Sequence, residues 1–243
     1  MNLIGDFHTH TTYTHGTSTI EENVSQAQNL GLKYLAITEH AYNSKYHIKK
    51  GDLEKMRAEI DSIKDKFDVK ILLGIEANLI SRKGDIDVSD EELNQLDLVV
   101  LGFHKMTKVS LKEWFRFVLP NIIRKKPTKK QIERNTNAYL QAIDKHRINI
   151  LAHLGYAGCA VDCGKLAEVC ASKGIYIELN GKRINFSKED IEKMLATDVK
   201  FIINSDAHSK LSVGKNHRAF NLIEKYKIPY DRIVNLTSVP KFK

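Results

Sequence analysis

Short apolar runs alternate with longer amphipathic stretches along the chain, and this alternation restricts the possible folds more than any other feature. The short runs have the length of strands, and the longer stretches repeat apolar residues every three or four positions, as helices do. Strands that alternate with helices favour a parallel sheet. Seven such units favour a barrel over an open, doubly wound sheet. The expected strands lie near residues 3–10, 34–38, 70–76, 98–104, 148–153, 175–180 and 201–205.

The expected helices carry start and stop signals. Ser18 and Glu21 form a capping box for the first helix, because the hydroxyl can accept from a backbone N–H while the carboxylate reaches back. Gly31 suits the left-handed end of that helix, and Ser89 opens another short helix in the same way. Further helices are expected near residues 53–67, 128–145, 164–172, 187–195 and 215–226, with a weaker apolar run at 233–236.

The composition bounds the class of protein. The 243 residues suffice for one large α/β domain, and we predict a single barrel domain over residues 1–243. A formal net charge of +8 favours anionic partners such as phosphoesters, nucleic acid or acidic membranes. No apolar stretch approaches the roughly 20 residues that a membrane-spanning helix needs, and no export signal is visible. The closely spaced Cys159, Cys163 and Cys170 do not suit a disulfide framework, so we expect buried thiols and a cytoplasmic location.

Residues of the types that commonly bind metals occur where the expected strands end. In a parallel barrel those ends share one face, on which active sites are built, and scattered core histidines would not follow strand ends in this way. His8 and His10 point to the same face of an extended strand, because side-chain direction repeats every two residues. The candidate ligands are His8, His10, His15, His40, Glu76, His104, His153, Asp206 and His208.

Seven imidazoles and two carboxylates exceed the needs of one ion, since a catalytic zinc ion usually takes about three protein ligands. The set therefore predicts two to three divalent ions, among which the Glu76 carboxylate can bridge a pair. Imidazole-rich coordination without thiolates suits zinc first, with manganese or iron as alternatives, and disfavours calcium or magnesium. Clustered ions lower the pKa of a bound water and clamp a phosphoryl group from both sides.

Six short motifs carry a resemblance to a known family. Together they resemble the PHP (polymerase and histidinol phosphatase) superfamily over nearly the whole chain, in the family's order, and most closely its small stand-alone phosphatases. The resemblance implies a distorted seven-stranded (β/α)7 TIM-like barrel with a trinuclear metal site. The motifs are His8-Thr9-His10, Thr38-Glu39-His40, Gly74-Ile75-Glu76, Gly102-Phe103-His104, Ala152-His153 and Ser205-Asp206-Ala207-His208.

The resemblance also implies a division of the ligands among three ions, and two departures from the family pattern accompany it. Glu39 stands where the family has aspartate, which we interpret as a change behind the ligands. Leu154 replaces the usual proline after His153, so the local loop is expected to differ. The implied groups are His8, His10, Glu76 and Asp206 for one ion, Glu76, His104 and His153 for a second, and His15, His40 and His208 for a third.

The predicted function is that of a metal-dependent phosphoesterase. The leading prediction within that class is a phosphomonoesterase acting on a phosphorylated small molecule. A hydroxide bridging two ions would attack phosphorus, with Glu76 and Asp206 holding the ions, so no protein nucleophile is needed. Arg183 would grip the phosphate as a bidentate donor, with an ordinary surface arginine as the alternative. Lys105 and Lys182 are weaker candidates for that role.

Several alternatives stay open. A histidinol-phosphate phosphatase would share the metal motifs. A metal-dependent exonuclease acting on DNA suits the basic charge, but no polymerase domain is present and phosphate contacts alone give nonspecific binding. The complete ligand set speaks against a noncatalytic metal-binding module, and His15, His40 and His104 speak against an amidohydrolase with its usual pair of ions. The sequence does not specify the substrate, the native metal or the oligomeric state.

A segment at about residues 105–130 interrupts the β/α rhythm, with apolar residues around Trp114 and a basic run from Arg124 to Lys130. It is either an amphipathic lid or docking element whose basic residues face an anion, or a helical excursion packed on the barrel rim.

We expect the remaining histidines to lie at the surface. His47 lies in a polar stretch, and His146 lies at a helix end. His217 follows the seventh strand, so it either lies at the surface or reaches the mouth of the pocket.

Overall fold

Seven parallel strands form one sheet in their sequence order in the computed structural model of the protein, which describes residues 3–123 and 126–242. Each strand pairs with the next along the chain. This confirms the predicted seven-stranded, TIM-like barrel. The strands are β1 (Gly5–Thr9), β2 (Tyr34–His40), β3 (Lys70–Asn78), β4 (Leu98–Gly102), β5 (Ile150–Leu151), β6 (Tyr176–Asn180) and β7 (Phe201–Asn204).

Helices connect the strands and cover the outside of the barrel. None of the described helices combines the length and apolar composition needed to cross a bilayer. Over the described residues the α-helices are α1 (Ile20–Asn29), α2 (Asp52–Ile63), α3 (Asp90–Leu93), α4 (Leu111–Glu113), α5 (Leu119–Ile123), α6 (Lys129–Lys145), α7 (Cys163–Lys173), α8 (Lys188–Leu195), α9 (His217–Tyr226) and α10 (Val234–Thr237).

The capping box of α1 lies one residue later than the sequence suggested. Thr19, not Ser18, accepts from the backbone N–H of Glu22, and the Glu22 carboxylate accepts from the N–H of Thr19. The Ser18 hydroxyl is used elsewhere, since it accepts from the backbone N–H of Lys210 at 2.8 Å. A long-range contact therefore overrides the local pattern. The cap that Ser89 was expected to provide for α3 is confirmed.

The barrel closes between β7 and β1 through side chains rather than through a continuous ladder. The Asn204 side-chain oxygen accepts from the N–H of Phe7 at 2.9 Å, and the Asp6 carboxylate accepts from the N–H of Ser205 at 3.0 Å. Below them, buried Asn235 donates to the carbonyls of both Gly5 and Ile203. These polar side chains satisfy backbone groups along the edges of two strands whose direct pairing is limited to a parallel bridge between Thr9 and Ala207.

An extra residue in β1 sets the position of the first histidine pair. Asp6 pairs with Leu35 and Thr9 with Ile37, so three steps along β1 match two along β2. Such a bulge re-aims side chains, and bulges are common beside active sites. Phe7 packs inside the barrel with residues such as Ile202, while the adjacent His8 reaches the polar upper end.

The interrupting segment is helical and packs on the barrel. A π-helical turn, Trp114–Val118, joins α4 to α5, and Phe117 lies edge-on to Phe103 with ring centroids 5.4 Å apart. Buried Asn121 accepts from Gln131 at 2.6 Å, which ties α5 to α6. The packed side of the segment thus agrees with a helical excursion on the rim, while Phe115 on the other side is exposed. Arg124 and Lys125 of the basic run lie outside the described residues.

Candidate metal centre

The nine candidate ligands meet at the carboxyl end of the barrel, although they come from six connections of the chain. His8 lies in β1, His40 ends β2 and Glu76 lies near the end of β3. The others stand in the loops that follow strands β1, β4, β5 and β7. Their positions are His10, His15, His104, His153, Asp206 and His208.

Glu76 lies at the centre of this group, and its two oxygens face different imidazoles. Oε1 is 2.8 Å from His153 Nε2 and 3.3 Å from His104 Nε2. Oε2 is 2.7 Å from His40 Nδ1 and 3.5 Å from His10 Nε2. The side chain is 1% exposed, so its charge is compensated within the protein. A carboxylate placed in this way can bridge two cations.

The imidazole rings form a continuous group around that carboxylate. The ring centroid of His10 lies 4.5 Å from that of His40 and 4.4 Å from that of His208. His15 completes the outer side, with its centroid 4.2 Å from that of His208 and 5.0 Å from that of His40. The rings of His104 and His153 are 5.1 Å apart on the opposite side.

Many polar atoms of the cluster are buried and make no hydrogen bond. Leaving such an atom unpaired costs about 1–3 kcal/mol, so a group of them in one place indicates a missing partner. His40 Nδ1 and Glu76 Oε2 belong to this set because their close approach does not have hydrogen-bond geometry. Imidazole nitrogens and carboxylate oxygens gathered in this way fit a divalent cation. The unpaired atoms are His10 Nδ1, His15 Nδ1, His40 Nδ1, His104 Nε2, His153 Nδ1 and Glu76 Oε2.

Residues behind the cluster orient two of the rings. His8 donates from Nδ1 to the Glu178 carboxylate at 2.7 Å, which turns Nε2 toward Glu76. His104 donates from Nδ1 to the side-chain oxygen of Asn78 at 2.7 Å. The Asn78 amide is itself fixed, because its nitrogen donates to Asp87 at 2.5 Å. Hydrogen bonds of this kind fix the tautomer of metal-binding histidines.

The charge states of the cluster suit cation binding. Burial lowers the pKa of His15 and that of His208 to about 4, so both rings are neutral at pH 7. Burial alone would raise the pKa of Glu76, but the surrounding imidazoles hold it well below its usual range. His8 differs, since the carboxylates of Glu178 and Glu76 overcome the effect of burial and raise its pKa. Cation binding displaces a proton from such a ligand.

Two of the candidate ligands have unusual backbone conformations. His153 has a φ of 31° and Asp206 a φ of 53°, in the left-handed region that non-glycine residues rarely adopt. Gly155, two residues after His153, has a φ of 77°. Strain of this kind persists where the surroundings enforce it, and it concentrates at functional sites. The loop that departs from the family pattern at Leu154 is therefore sharply bent.

The predicted phosphate-binding residues lie at different distances from the cluster. Arg183 is at its edge, with Nη1 3.4 Å from the Asp206 carboxylate and the guanidinium over the ring of Tyr156. Lys182 Nζ lies 3.0 Å from His208 Nδ1. Lys105 is exposed to solvent. The structure thus brings Arg183 and Lys182 to the site.

Glu39 lies behind the cluster rather than within it. Its carboxylate accepts from the backbone N–H and the hydroxyl of Thr11, each at 2.5 Å, and also from the hydroxyl of Thr14. Its nearest approach to His10 Nδ1 is 3.7 Å. The longer glutamate therefore braces the loop after β1, as the sequence interpretation assumed.

The spatial groups of ligand atoms differ in part from the division that the resemblance implied. His8, His10 and Glu76 form one group, which contains three of the four residues implied for the first ion but not Asp206. His40 stands with Glu76 and His104, however, and His10 stands with His40 and His208. Which ligands share an ion remains a prediction.

Sequence reasoning missed two contributors to this site. Glu178 is a buried carboxylate that accepts from the His8 ring and from the backbone N–H of His153, and buried Asp87 reaches the cluster through Asn78. A charged residue inside an apolar run, as Glu178 is in β6, was the available signal. His217, which the sequence left between surface and pocket, lines a cavity with Asp206 and His208.

Known proteins resemble this chain over its length. A protein named a probable phosphatase from Caldanaerobacter subterraneus subsp. tengcongensis is 29% identical over all of this chain and 91% of its own length. One from Acetivibrio thermocellus is 28% identical over all of this chain and 94% of its own. The expected enzyme class, a phosphatase, is thereby confirmed.

The fold is similar to that of a histidinol phosphate phosphatase from Lactococcus lactis subsp. lactis, crystallised with zinc, L-histidinol and phosphate. The TM-score is 0.60 at 18% identity, and the match covers 93% of this chain and 94% of that one. The model of the PHP domain family matches residues 6–182. The family suggested by the six motifs is confirmed: the chain belongs to the PHP domain family.

Proposed function

We propose that this protein is a metal-dependent phosphomonoesterase that hydrolyses a phosphorylated small molecule with two to three divalent ions. The nine converging ligands would hold the ions, zinc in the first place and manganese or iron as alternatives. The names of the relatives and the zinc in the L. lactis structure support this proposal.

The observation that carries the proposal is the position of Glu76. Imidazole nitrogens approach both of its oxygens from separate sides, in a pocket from which water is largely excluded. A single structural ion would need only one such side. The arrangement therefore supports at least two ions with Glu76 between them, and the third ion would lie toward His15 and His208.

Each ligand group has its own supporting residues. His8, His10, Glu76 and Asp206 would hold one ion, with Glu178 orienting His8 through Nδ1. His104 and His153 would share a second ion with Glu76, with Asn78 orienting His104. His15, His40 and His208 would hold the third, and their rings lie in mutual contact.

When bound, such ions activate water for attack on phosphorus and neutralise charge on the phosphoryl oxygens. The residues of the chain supply the remaining functions. Arg183 is 29% exposed and already lies beside Asp206, so it is placed to bind a phosphate oxygen at the mouth of the pocket. Its planar guanidinium can donate two parallel hydrogen bonds to a phosphate. Lys182 adds a second positive charge there.

The test is phosphate release from p-nitrophenyl phosphate by protein purified without chelator. We expect Glu76→Ala and His208→Ala to abolish release while circular dichroism shows the wild-type fold. His146→Ala is the matched control, because this histidine contacts Asp90, away from the ligands. Near-wild-type activity of either ligand variant would refute the assignment.

A substrate screen separates the remaining alternatives. Phosphomonoesters, including histidinol phosphate, and single-stranded DNA would be offered to the same preparation, with metal content measured by mass spectrometry. We expect monoester turnover with two to three ions per chain. Degradation of DNA without monoester turnover would favour the exonuclease, and bound metal without turnover of any substrate would favour a binding module.

A further inference from the structure

A cavity of about 320 Å³ opens beside the candidate metal centre, between the loops that follow β6 and β7. Asp206 and His208 belong to both the cavity and the ligand cluster. A volume near 300 Å³ is at the lower end of small-molecule pockets, which run from roughly 300 to 1,000 Å³. A phosphate ester bound at the cluster would thus have room to extend a further substituent in this direction.

The cavity lining is strongly basic. Lys182, Lys215 and Arg218 are positively charged at neutral pH, and His217 lies among them. Asp206 is the one carboxylate among the lining residues, and it already faces Lys182 Nζ at 3.9 Å. The outer part of the cavity, with Lys215 and Arg218, therefore presents positive charge without a nearby acid in its wall.

The basic side chains stand on a closely packed backbone. Arg218 Nη1 donates to the carbonyl of Lys182 at 2.6 Å, which ties the first turn of α9 to the loop after β6. A Cβ on Gly181 would lie 2.7 Å from the side-chain oxygen of Asn216, so only glycine allows these two loops to approach. This bond and the close approach of the two loops fix the position of Arg218 relative to Lys182.

The N-terminus of the neighbouring helix also favours an anion at this place. The N-terminus of α9, a ten-residue helix, carries partial positive charge. Asn216 precedes it, makes no side-chain capping hydrogen bond and is 3% exposed, with both polar side-chain atoms unpaired. Elsewhere in the described chain, Thr19, Ser89 and Ser187 cap their helices with reciprocal hydrogen bonds.

We infer that this cavity is a subsite for a second anionic group of the substrate. The preferred substrates are then small phosphate esters that carry a further phosphate or carboxylate, and esters with an ammonium group in that position are disfavoured. The inference rests on the proposed phosphomonoesterase function, because it extends the same site. One hydrogen bond to a charged group typically changes affinity about tenfold or more. We therefore expect a preference of that size for esters with a second anionic group over uncharged ones.

The kinetic test uses three-carbon alkyl phosphates that end in a hydroxyl, an ammonium, a carboxylate or a second phosphate. For the wild type we expect kcat/KM about tenfold or more higher for an anionic end than for the hydroxyl, and lowest for the ammonium. The carboxylate and phosphate arms show which anion is preferred. Lys215→Ala, which leaves the bond from Arg218 to the carbonyl of Lys182 in place, should lose most of this preference while the hydroxyl ester changes by no more than about twofold.

Two other variants complete the set. Lys215→Glu changes an exposed side chain only, and it should reverse the order of the carboxylate and ammonium esters. Lys225→Ala, at the far end of the same helix, should retain the wild-type preference. An unchanged preference in both Lys215 variants, or equal kcat/KM for all four esters in the wild type, would overturn the inference.

A binding test separates the subsite from the proposed function. Calorimetry with the zinc-loaded protein compares propane-1,3-bisphosphonate with propylphosphonate, neither of which can be hydrolysed as an ester. We expect the bisphosphonate to bind about tenfold tighter to the wild type and to Lys225→Ala, but not to Lys215→Ala. If no ester is hydrolysed, the proposed function fails while this comparison still decides the subsite. Equal affinities for the two phosphonates in the wild type would exclude it.

Discussion

The imidazole of His8 donates from Nδ1 to the carboxylate of Glu178 at 2.7 Å, across 170 positions of sequence. Both side chains are fully buried. The same carboxylate accepts from the backbone N–H of His153 at 3.0 Å and from the side-chain amides of Asn180 and Asn204. One acid thus orients a candidate ligand and holds the strained loop of another.

Replacing Glu178 with glutamine should weaken metal binding. The amide keeps the volume of the side chain but cannot accept on both ends, so the orientation of His8 is lost. We expect zinc affinity to fall about 10–100-fold, as for other residues that orient metal-binding histidines. Competition with a chromophoric chelator measures this affinity. Glu189→Gln, on the exposed side of α8, is the control, and equal affinities in the two variants would contradict the role of Glu178.

Metal removal should abolish activity and lower thermal stability together. Ligand that binds only the folded state stabilises it by about 2.7 kcal/mol at a hundredfold excess over Kd. For a chain of this size, that corresponds to a rise in Tm of about 5–10 °C. Differential scanning fluorimetry of chelated protein, with and without added zinc, measures the shift. Glu76→Ala should show a much smaller shift, and an equal shift would mean that zinc binds elsewhere.

The closure of the barrel should depend on Asn235. Its side chain accepts from the N–H of Ile203 and donates to the carbonyls of Gly5 and Ile203, all without exposure to solvent. Asn235→Ala leaves those groups unpaired, and we expect a loss of about 2 kcal/mol in the free energy of unfolding. Urea denaturation measures this loss, and Asn221→Ala, at an exposed position of α9, is the control. Equal stability of the two variants would remove Asn235 from the closure.

The three cysteines should be unreactive in the folded protein. Burial raises the pKa of Cys170 to about 12 and also raises the pKa values of Cys159 and Cys163. Because a raised pKa leaves the thiols protonated at pH 8, little of the reactive thiolate is present. We expect almost no reaction with a disulfide reagent at pH 8 and three equivalents in denaturant. A fast equivalent in the native protein would show that one thiol is accessible.

The sequence predicted the barrel and the convergence of the ligands because both follow from regular patterns. Strand and helix periodicity sets the β/α alternation, and the ends of parallel strands share one face. His8, Glu76 and Asp206 could therefore be assigned to one pocket without coordinates. The resemblance of the six motifs added the family, which the comparison confirmed.

Other features depend on contacts between distant parts of the chain, and no local pattern announces them. The bulge in β1 follows from its register against β2. The cap of α1 moved to Thr19 because Ser18 bonds Lys210, 192 residues away. The basic cavity arises only when the residues before α9 pack on Gly181 and Arg218 in α9 bonds Lys182. The local sequence around Asn235 does not indicate its role, because that role depends on the positions of β1 and β7, which it joins.

Anomalous X-ray diffraction tests most directly the proposal that Glu76 binds divalent ions through both of its oxygens. Crystals grown with zinc and measured on both sides of the zinc absorption edge would locate each ion. We expect at least two anomalous peaks, one toward His8 and His10 and one toward His104 and His153, each within coordination distance of a Glu76 oxygen. A single peak away from Glu76, or no peak among these side chains at full zinc loading, would contradict it.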